Sequence, residues 1–346
     1  MTKRILLILF ALSLILAGCS KKQVHTIDPA FYFWQSNFDL SPNELNYLKE
    51  LNVHKLYVRF FDVDWNPYLK TPMPAGDVRI VTDSLKNIEI VPAVFITNRT
   101  LSNINDTSIQ NLAEKIFEKI TGKLNEFKNP EVKEFQLDCD WTKKTKYKYF
   151  NLIEDIKKLS AVKNISVTAT IRLHQVKYFK LTGVPPVKRG MLMFYNMSDV
   201  LNFRTRNSIY DPEIAENYLT NFDEYPLQLD VVLPAFSWGV LFRGEKIISI
   251  MNDLTKDELL KDPGFKKIDD THFRVMKNKI FEGRHLFKFD TIRLEEITPE
   301  ITKSAAGLIA PQIRNGSLTV AIYHLNKKLI KNYEPKDIQN CFSAFR

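Results

Sequence analysis

The period of apolar positions along this chain switches repeatedly between two and about three and a half residues. Eight stretches read as strands, at 31–36, 55–62, 88–97, 133–140, 165–173, 190–196, 228–236 and 318–325. They are rich in Val, Ile, Phe and Tyr, as a pleated, buried surface favours. Between them lie helical patterns. Ser41-Pro42-Asn43-Glu44 opens one with a capping-box signature. Leu112, Ile116, Ile120 and Leu124 recur at helical spacing within 108–127, and 147–159 reads as a further helix. Asp211-Pro212-Glu213 and Thr298-Pro299-Glu300 place a cap and a proline at two more helix starts, and 334–345 forms the last helix. Strands that alternate with helices imply a parallel sheet. Eight of them predict an α/β chain folded as a (β/α)8 TIM barrel.

One segment breaks the alternation. About sixty residues separate the seventh strand from its helix, too many for a plain loop. Within them, 271–279 and 285–295 read as two strands joined at Glu282-Gly283-Arg284. The pattern predicts an antiparallel hairpin inserted above the barrel mouth. The insertion occupies about 239–297 of a single domain spanning 30–346. It either decorates the fold or walls a cleft.

The N-terminus sets an expected location. Lys3 and Arg4 precede an apolar run, Ile5 to Leu16, too short to span a bilayer comfortably. Leu16-Ala17-Gly18-Cys19 follows and resembles the lipobox of bacterial lipoproteins. The resemblance implies a signal peptide at 1–18 and lipid, including an acyl chain such as palmitate, on Cys19. A lipidated tether would then span 19–29. Ser20 beside the lipidated cysteine favours the outer membrane of a Gram-negative envelope. The membrane partner is thus expected through the lipid on Cys19.

Composition narrows the chemistry. The formal charge of +9 falls to +7 once Lys3 and Arg4 leave with the signal. The remaining lysines are interspersed with acids, so no nucleic-acid surface is expected. There is no CxxC pair and no His-x-x-x-His, so no metal site is expected. No Gly-x-Gly-x-x-Gly and no P-loop occurs, so no nucleotide cofactor is expected. Cys139 falls on the apolar face of its strand and reads as a small buried hydrophobe.

Residues at the C-terminal ends of barrel strands converge on one mouth. The fourth strand is the most informative. In Phe135-Gln136-Leu137-Asp138-Cys139-Asp140-Trp141, the polar residues Gln136, Asp138 and Asp140 share one face. Charged groups that point inward need partners or a task. The other strand ends supply Trp34, Arg59, Asp62, Arg172, His174, Tyr195, Asn196, Trp238 and His324. Flat aromatics with carboxylates, guanidinium and amides suit a sugar, whose C–H face stacks while its hydroxyls take hydrogen bonds. Asp138 and Asp140 are the candidate catalytic pair. Asp140 is the candidate acid, in a pocket walled by Trp141 and Tyr195, with Asp138 beside it. Arg59 either contacts substrate or neutralises one of these acids, and Arg172 has the same two options. Asp62 or Asp64 could serve as a second catalytic carboxylate.

The fourth-strand motif resembles that of family 18 glycoside hydrolases, written Asp-x-x-Asp-x-Asp-x-Glu. Asp138 and Asp140 match its second and third acids, and Trp141 the aromatic that precedes its Glu. Phe135 stands in place of the first Asp and Thr142 in place of the proton-donor Glu. Nearly the whole mature chain is also similar to a group of bacterial lipoproteins with a glycosidase-like barrel. The carriers include Phe33-Trp34-Gln35, Met193-Phe194-Tyr195-Asn196-Met197 and Leu233-Pro234-Ala235-Phe236-Ser237-Trp238-Gly239. This resemblance implies the fold and a carbohydrate partner. It leaves three functions open: glycosidic hydrolysis, glycan binding without catalysis, and a structural role in envelope assembly.

Overall fold

The structure, a computed structural model, describes residues 25–346 apart from 84, 86, 129 and 221. The expected signal peptide and Cys19 lie outside the described residues.

Eight parallel strands close a barrel: β1 (Thr26–Phe33), β2 (Lys55–Asn66), β3 (Glu89–Ile96), β4 (Glu134–Asp138), β5 (Ser166–Arg172), β6 (Arg189–Met193), β7 (Gln228–Pro234) and β8 (Ser317–Tyr323). Closure comes from β1, which pairs with β8 through Ala30 opposite Ala321 and with β2 through Ala30 opposite Lys55. Each of the eight barrel strands predicted from the sequence is present. β1 starts earlier than expected, because Thr26 and Asp28, polar enough to read as tether, pair with Ser317 and Thr319.

The helix signals also hold. Ser41 and Glu44 form a reciprocal capping box on the helix Pro42–Glu50. Asp211 and Thr298 cap the helices Pro212–Leu219 and Pro299–Ile309. Between β2 and β3 no helix forms among the described residues. Instead β2 runs on past the barrel and pairs antiparallel with Thr71–Ala75. Tyr68, 92 % exposed, stands in the turn of this hairpin.

Period-two alternation in β4 divides its side chains between two environments. Phe135 and Leu137 are fully buried in the apolar core, and the cores of the helices Ile109–Leu124 and Lys146–Ala161 join the same cluster. Glu134, Gln136 and Asp138 occupy successive polar levels of the barrel. Glu134 accepts from Thr168 Oγ1 at 2.6 Å and faces Lys55 Nζ at 3.7 Å. Burial nonetheless pushes its carboxyl up to about 7. Gln136 accepts from the Tyr32 hydroxyl at 2.6 Å, and Tyr32 stacks on Tyr57 with centroids 4.8 Å apart. Asp138 accepts from Thr170 Oγ1 at 2.6 Å on the neighbouring strand. Cys139 and Cys341 are both buried free thiols.

The insertion is larger than a hairpin. It is a five-stranded antiparallel sheet in the order 246–252, 237–243, 291–296, 272–275, 265–267. The expected turn at Glu282-Gly283 exists, but it joins strands of three residues each, Lys279–Phe281 and Arg284–Leu286. Beyond Leu286 the chain turns at Asp290, which is buried. Its carboxylate accepts from Arg243 Nε at 2.9 Å and Nη2 at 3.0 Å, and from the Phe287 amide at 2.9 Å. Thr291–Glu296 then pairs with Ser237–Arg243 and His272–Val275. Leu241, Met251, Phe265, Phe273 and Ile292 form a core of its own beneath this sheet.

Candidate functional site

The barrel mouth holds a cavity of about 260 Å³. That lies just below the roughly 300–1,000 Å³ that drug-sized ligands occupy. β1 delivers Trp34, β3 Phe95, and β4 with the residues after it Asp138 and Asp140. Arg172 ends β5, and Tyr195 and Asn196 follow β6. Tyr323 ends β8, with His324 next in the chain. The inserted sheet adds Ser237, Trp238, Asn252 and Asp253. Of the residues singled out from sequence, Trp34, Asp138, Asp140, Arg172, Tyr195, Asn196, Trp238 and His324 are therefore brought together.

Four others are not. Trp141 follows Asp140 but is fully buried away from the mouth. Its ring stacks on Tyr149 at 5.1 Å and its Nε1 donates to the Thr182 carbonyl at 3.0 Å. Past the end of β4, side-chain alternation no longer governs direction, and an apolar seat between two helices takes the indole. His174 lies exposed on the short helix Leu173–Lys177 and does not line the cavity. Arg59 and Asp62 bind each other through two hydrogen bonds, one of them Nε to Oδ1 at 2.8 Å. The Arg59 guanidinium lies 5.9 Å from the centroid of Trp34, so this pair supports the edge of the mouth. Asp64 likewise pairs with Arg99 and accepts from Thr97 at 2.8 Å.

The cation that serves the two acids is Arg172. Its Nε bonds Asp140 directly, and its Nη2 lies 3.6 Å from Asp138. Burial was expected at Asp140 and is found at Asp138. Asp138 is 4 % exposed, whereas the Asp140 side chain is half in solvent. Burial pushes the Asp138 carboxyl above its usual range. Arg172 opposes that shift, and the neighbouring Asp140 adds to it. Arg172 itself is held firmly charged by both carboxylates against its own desolvation.

Around these charges runs a belt of rings. Tyr323 is its hub, with centroids 5.3 Å from Tyr195, 5.4 Å from Phe236 and 6.0 Å from Trp34. Phe236 then meets Trp238 edge-on at 5.3 Å. Trp238 is fixed from behind, since its Nε1 donates to Glu295 Oε2 at 2.9 Å. Burial holds the His324 imidazole below its usual range, while Asp253 pulls the other way. Its Nδ1 is buried with no protein partner, a group that a ligand hydroxyl or a water would satisfy.

Reading the sequence missed Phe95, Tyr323, Asn252 and Asp253. Strand parity carried a signal for two of them. Ala93 and Phe95 alternate on β3, and Thr319, Ala321 and Tyr323 alternate on β8. No comparable signal existed for Asn252 and Asp253, which reach the mouth through the fold of the insertion.

Solved structures agree with this architecture. A chitinase from Chromobacterium violaceum superposes with a TM-score of 0.56 at 9% identity, covering 92% of this chain and 99% of the other. The spore cortex-lytic enzyme SleL of Bacillus cereus gives 0.54 at 11% identity, covering 93% and 75%. A family 18 N-acetylglucosaminidase from Paenibacillus barengoltzii gives 0.50 at 11%, covering 92% and 99%. No family model matches the sequence, and no curated protein sequence matches it either. At these identities the likeness establishes the fold. The chain is a closed (β/α)8 barrel with an aromatic and acidic cavity at its mouth.

Proposed function

We propose that the chain binds a glycan, one sugar of which sits in the barrel mouth. The observation that supports this is the ring belt of Trp34, Tyr323, Phe236 and Trp238 around Asp138, Asp140 and Arg172. Rings of this kind cover the apolar face of a pyranose, and the charged groups take its hydroxyls. The position of the family 18 proton donor holds Thr142, whose amide donates to Thr145 Oγ1 at 3.0 Å at the start of a helix. Asp140 is held in an ion pair with Arg172. Both features favour binding over turnover. In a titration against neutral and acidic oligosaccharides, Trp238→Ala is expected to weaken binding about tenfold through lost stacking. Unchanged affinity in that variant would remove the mouth as the binding site.

One observation favours hydrolysis as the second reading. Burial pushes the Asp138 carboxyl above its usual range, so it holds its proton more tightly than an exposed carboxyl, the direction an acid catalyst requires. Chromatography of glycans incubated with the wild type and with Asp138→Asn separates the two readings. New oligosaccharides from the wild type alone would establish hydrolysis through Asp138.

We also propose that Cys19 carries the lipid anchor in the outer membrane. Its support is the lipobox resemblance. β1 starts at Thr26, at the end of the barrel opposite the mouth. An anchor joined there by a short tether directs the mouth away from the membrane. Metabolic labelling with an alkyne fatty acid is expected to mark the wild type and leave Cys19→Ala unmarked. Equal labelling of both would reject the anchor.

A further inference from the structure

The floor of the barrel, at the end opposite the mouth, buries more acid than base. Lys55, Glu89 and Glu134 are the first residues of β2, β3 and β4, so they lie side by side there. Glu134 and Asp138 are four residues apart on β4, roughly 13 Å, so this layer is separate from the mouth. Lys55 Nζ lies 3.7 Å from Glu134, 3.9 Å from Glu89 and 3.2 Å from Asp28 of β1. It is thus closest to the acid that needs it least, because the Asp28 side chain is 47 % exposed and those of Glu89 and Glu134 only 11 %.

Among the described residues no second cation makes up the difference. Arg189 of β6 also faces Glu134 but is committed to Asp230 of β7, through Nε at 3.1 Å and through Nη2. Lys133, just before β4, is exposed and bonds Glu131, and it acts on Glu89 only from the surface. The Tyr32 and Tyr57 hydroxyls face this layer too, but burial pushes both far up, so both keep their protons. Thr168 of β5 donates from Oγ1 to Glu134 at 2.6 Å, whereas Glu89 Oε1 is buried with no partner among the described residues. One ammonium therefore serves two buried carboxylates and part of a third. Two like charges that share one counter-charge out of water do not both stay ionised, and a bound proton relieves them. Glu134 is the acid better placed to hold it. Desolvation pushes its carboxyl up to about 7, with Asp230 and Glu89 adding to the rise and Lys55 and Thr168 opposing it. Burial raises Glu89 as well, but Lys55 and Lys133 both hold it down.

We infer that the floor is a proton-sensitive lock, in which one proton on Glu134 balances the charge around Lys55 and steadies the closed barrel. Lys55 stands opposite Ala30 across the β1–β2 seam that closes the barrel, and its bond to Asp28 spans that seam. When the proton leaves, three carboxylates compete for the ammonium that ties the seam. The unfolded chain gives up this proton at a lower pH. The lock therefore favours the folded state in acid, and its effect is lost once pH has risen through about 7.

The test follows urea unfolding of the full chain in detergent from pH 5 to pH 8, wild type beside Glu134→Gln. Glutamine has the shape of the protonated acid and does not ionise. The unfolding constant of the wild type, divided by that of the variant, is expected to rise about tenfold across this range. Glu89→Gln frees Lys55 for Glu134, and in that background the rise should be smaller. A ratio that stays constant with pH, or a larger rise in the Glu89→Gln background, overturns the lock. NMR of the wild type with isotope-labelled glutamate carboxyls gives a reading that needs no variant to fold. One glutamate should titrate near pH 7, and the absence of any that titrates above the ordinary range overturns the inference.

Discussion

Glu295→Gln is expected to cost about 3–5 kcal/mol of stability, the loss that follows when a buried ion pair is broken from one side. Glu295 and Arg293 are both shut off from solvent, with side-chain exposures of 0 %. Arg293 donates from Nε to Glu295 at 2.7 Å and from its other nitrogens to the Asn202 and Val200 carbonyls. Glu295 also accepts from the amide and the hydroxyl of Ser208, at 2.7 and 2.6 Å, and from Trp238. One carboxylate thus ties the inserted sheet to the loop after β6 and to a ring of the mouth. Glutamine keeps the shape but leaves the guanidinium buried without a counter-charge. Urea denaturation followed by tryptophan fluorescence would measure the loss. Replacing both partners, as in Arg293→Met/Glu295→Leu, should recover part of it, because no lone charge then remains. Glycan affinity should stay low in the double variant, since leucine leaves Trp238 Nε1 without its acceptor. A cost below about 1 kcal/mol for the single variant would show that the charge finds compensation elsewhere.

Arg172→Met is expected to lower stability in a pH-dependent way. Burial raises the Asp138 carboxyl in the folded state, and Arg172 is the group that restrains the rise. A carboxyl raised on folding holds its proton more tightly in the native chain than in the unfolded one. Its favourable contribution is full below the unfolded pKa and is lost as pH climbs through the folded value. Removing Arg172 moves that folded value higher and deepens the loss on the alkaline side. The variant should therefore fall short of wild type by about 3–5 kcal/mol at pH 8, and by less at pH 5. Asp140 adds little to the deficit, because its half-exposed side chain is solvated by water. Arg172→Met/Asp138→Asn should remove most of the pH dependence. Equal losses at pH 5 and pH 8 would instead assign Arg172 a packing role.

Arg172 also marks where reading from sequence reached its limit. The inward face of β4 was legible, because alternation along a strand is a local property that survives any tertiary context. The identity of the cation was not. Arg59 lies within β2 and Arg172 ends β5, and both were candidates to serve the acids. β4 and β5 are paired neighbours, with Leu137 opposite Ala169, which brings Arg172 beside Asp138 and Asp140. Arg59 found Asp62 on its own strand. The insertion shows the same division. Its strand-forming residues and the turn at Glu282-Gly283 were readable. Their pairing was not, because Thr291–Glu296 joins Ser237–Arg243 across about fifty intervening residues, a separation no periodicity spans.

By itself, then, the sequence determined the eight strands, the capped helix starts, the existence of an insertion and the acidic face of β4. These depend on period, caps and turn chemistry, whose energies act over a few neighbouring residues. Tertiary structure alone decided which acid is buried, which arginine serves it, that Trp141 packs away from the mouth, and that Asn252 and Asp253 reach it. Those outcomes follow from desolvation and Coulomb energies, which depend on distances between segments remote in the chain. Such distances take their values when the barrel closes and the inserted sheet settles over it.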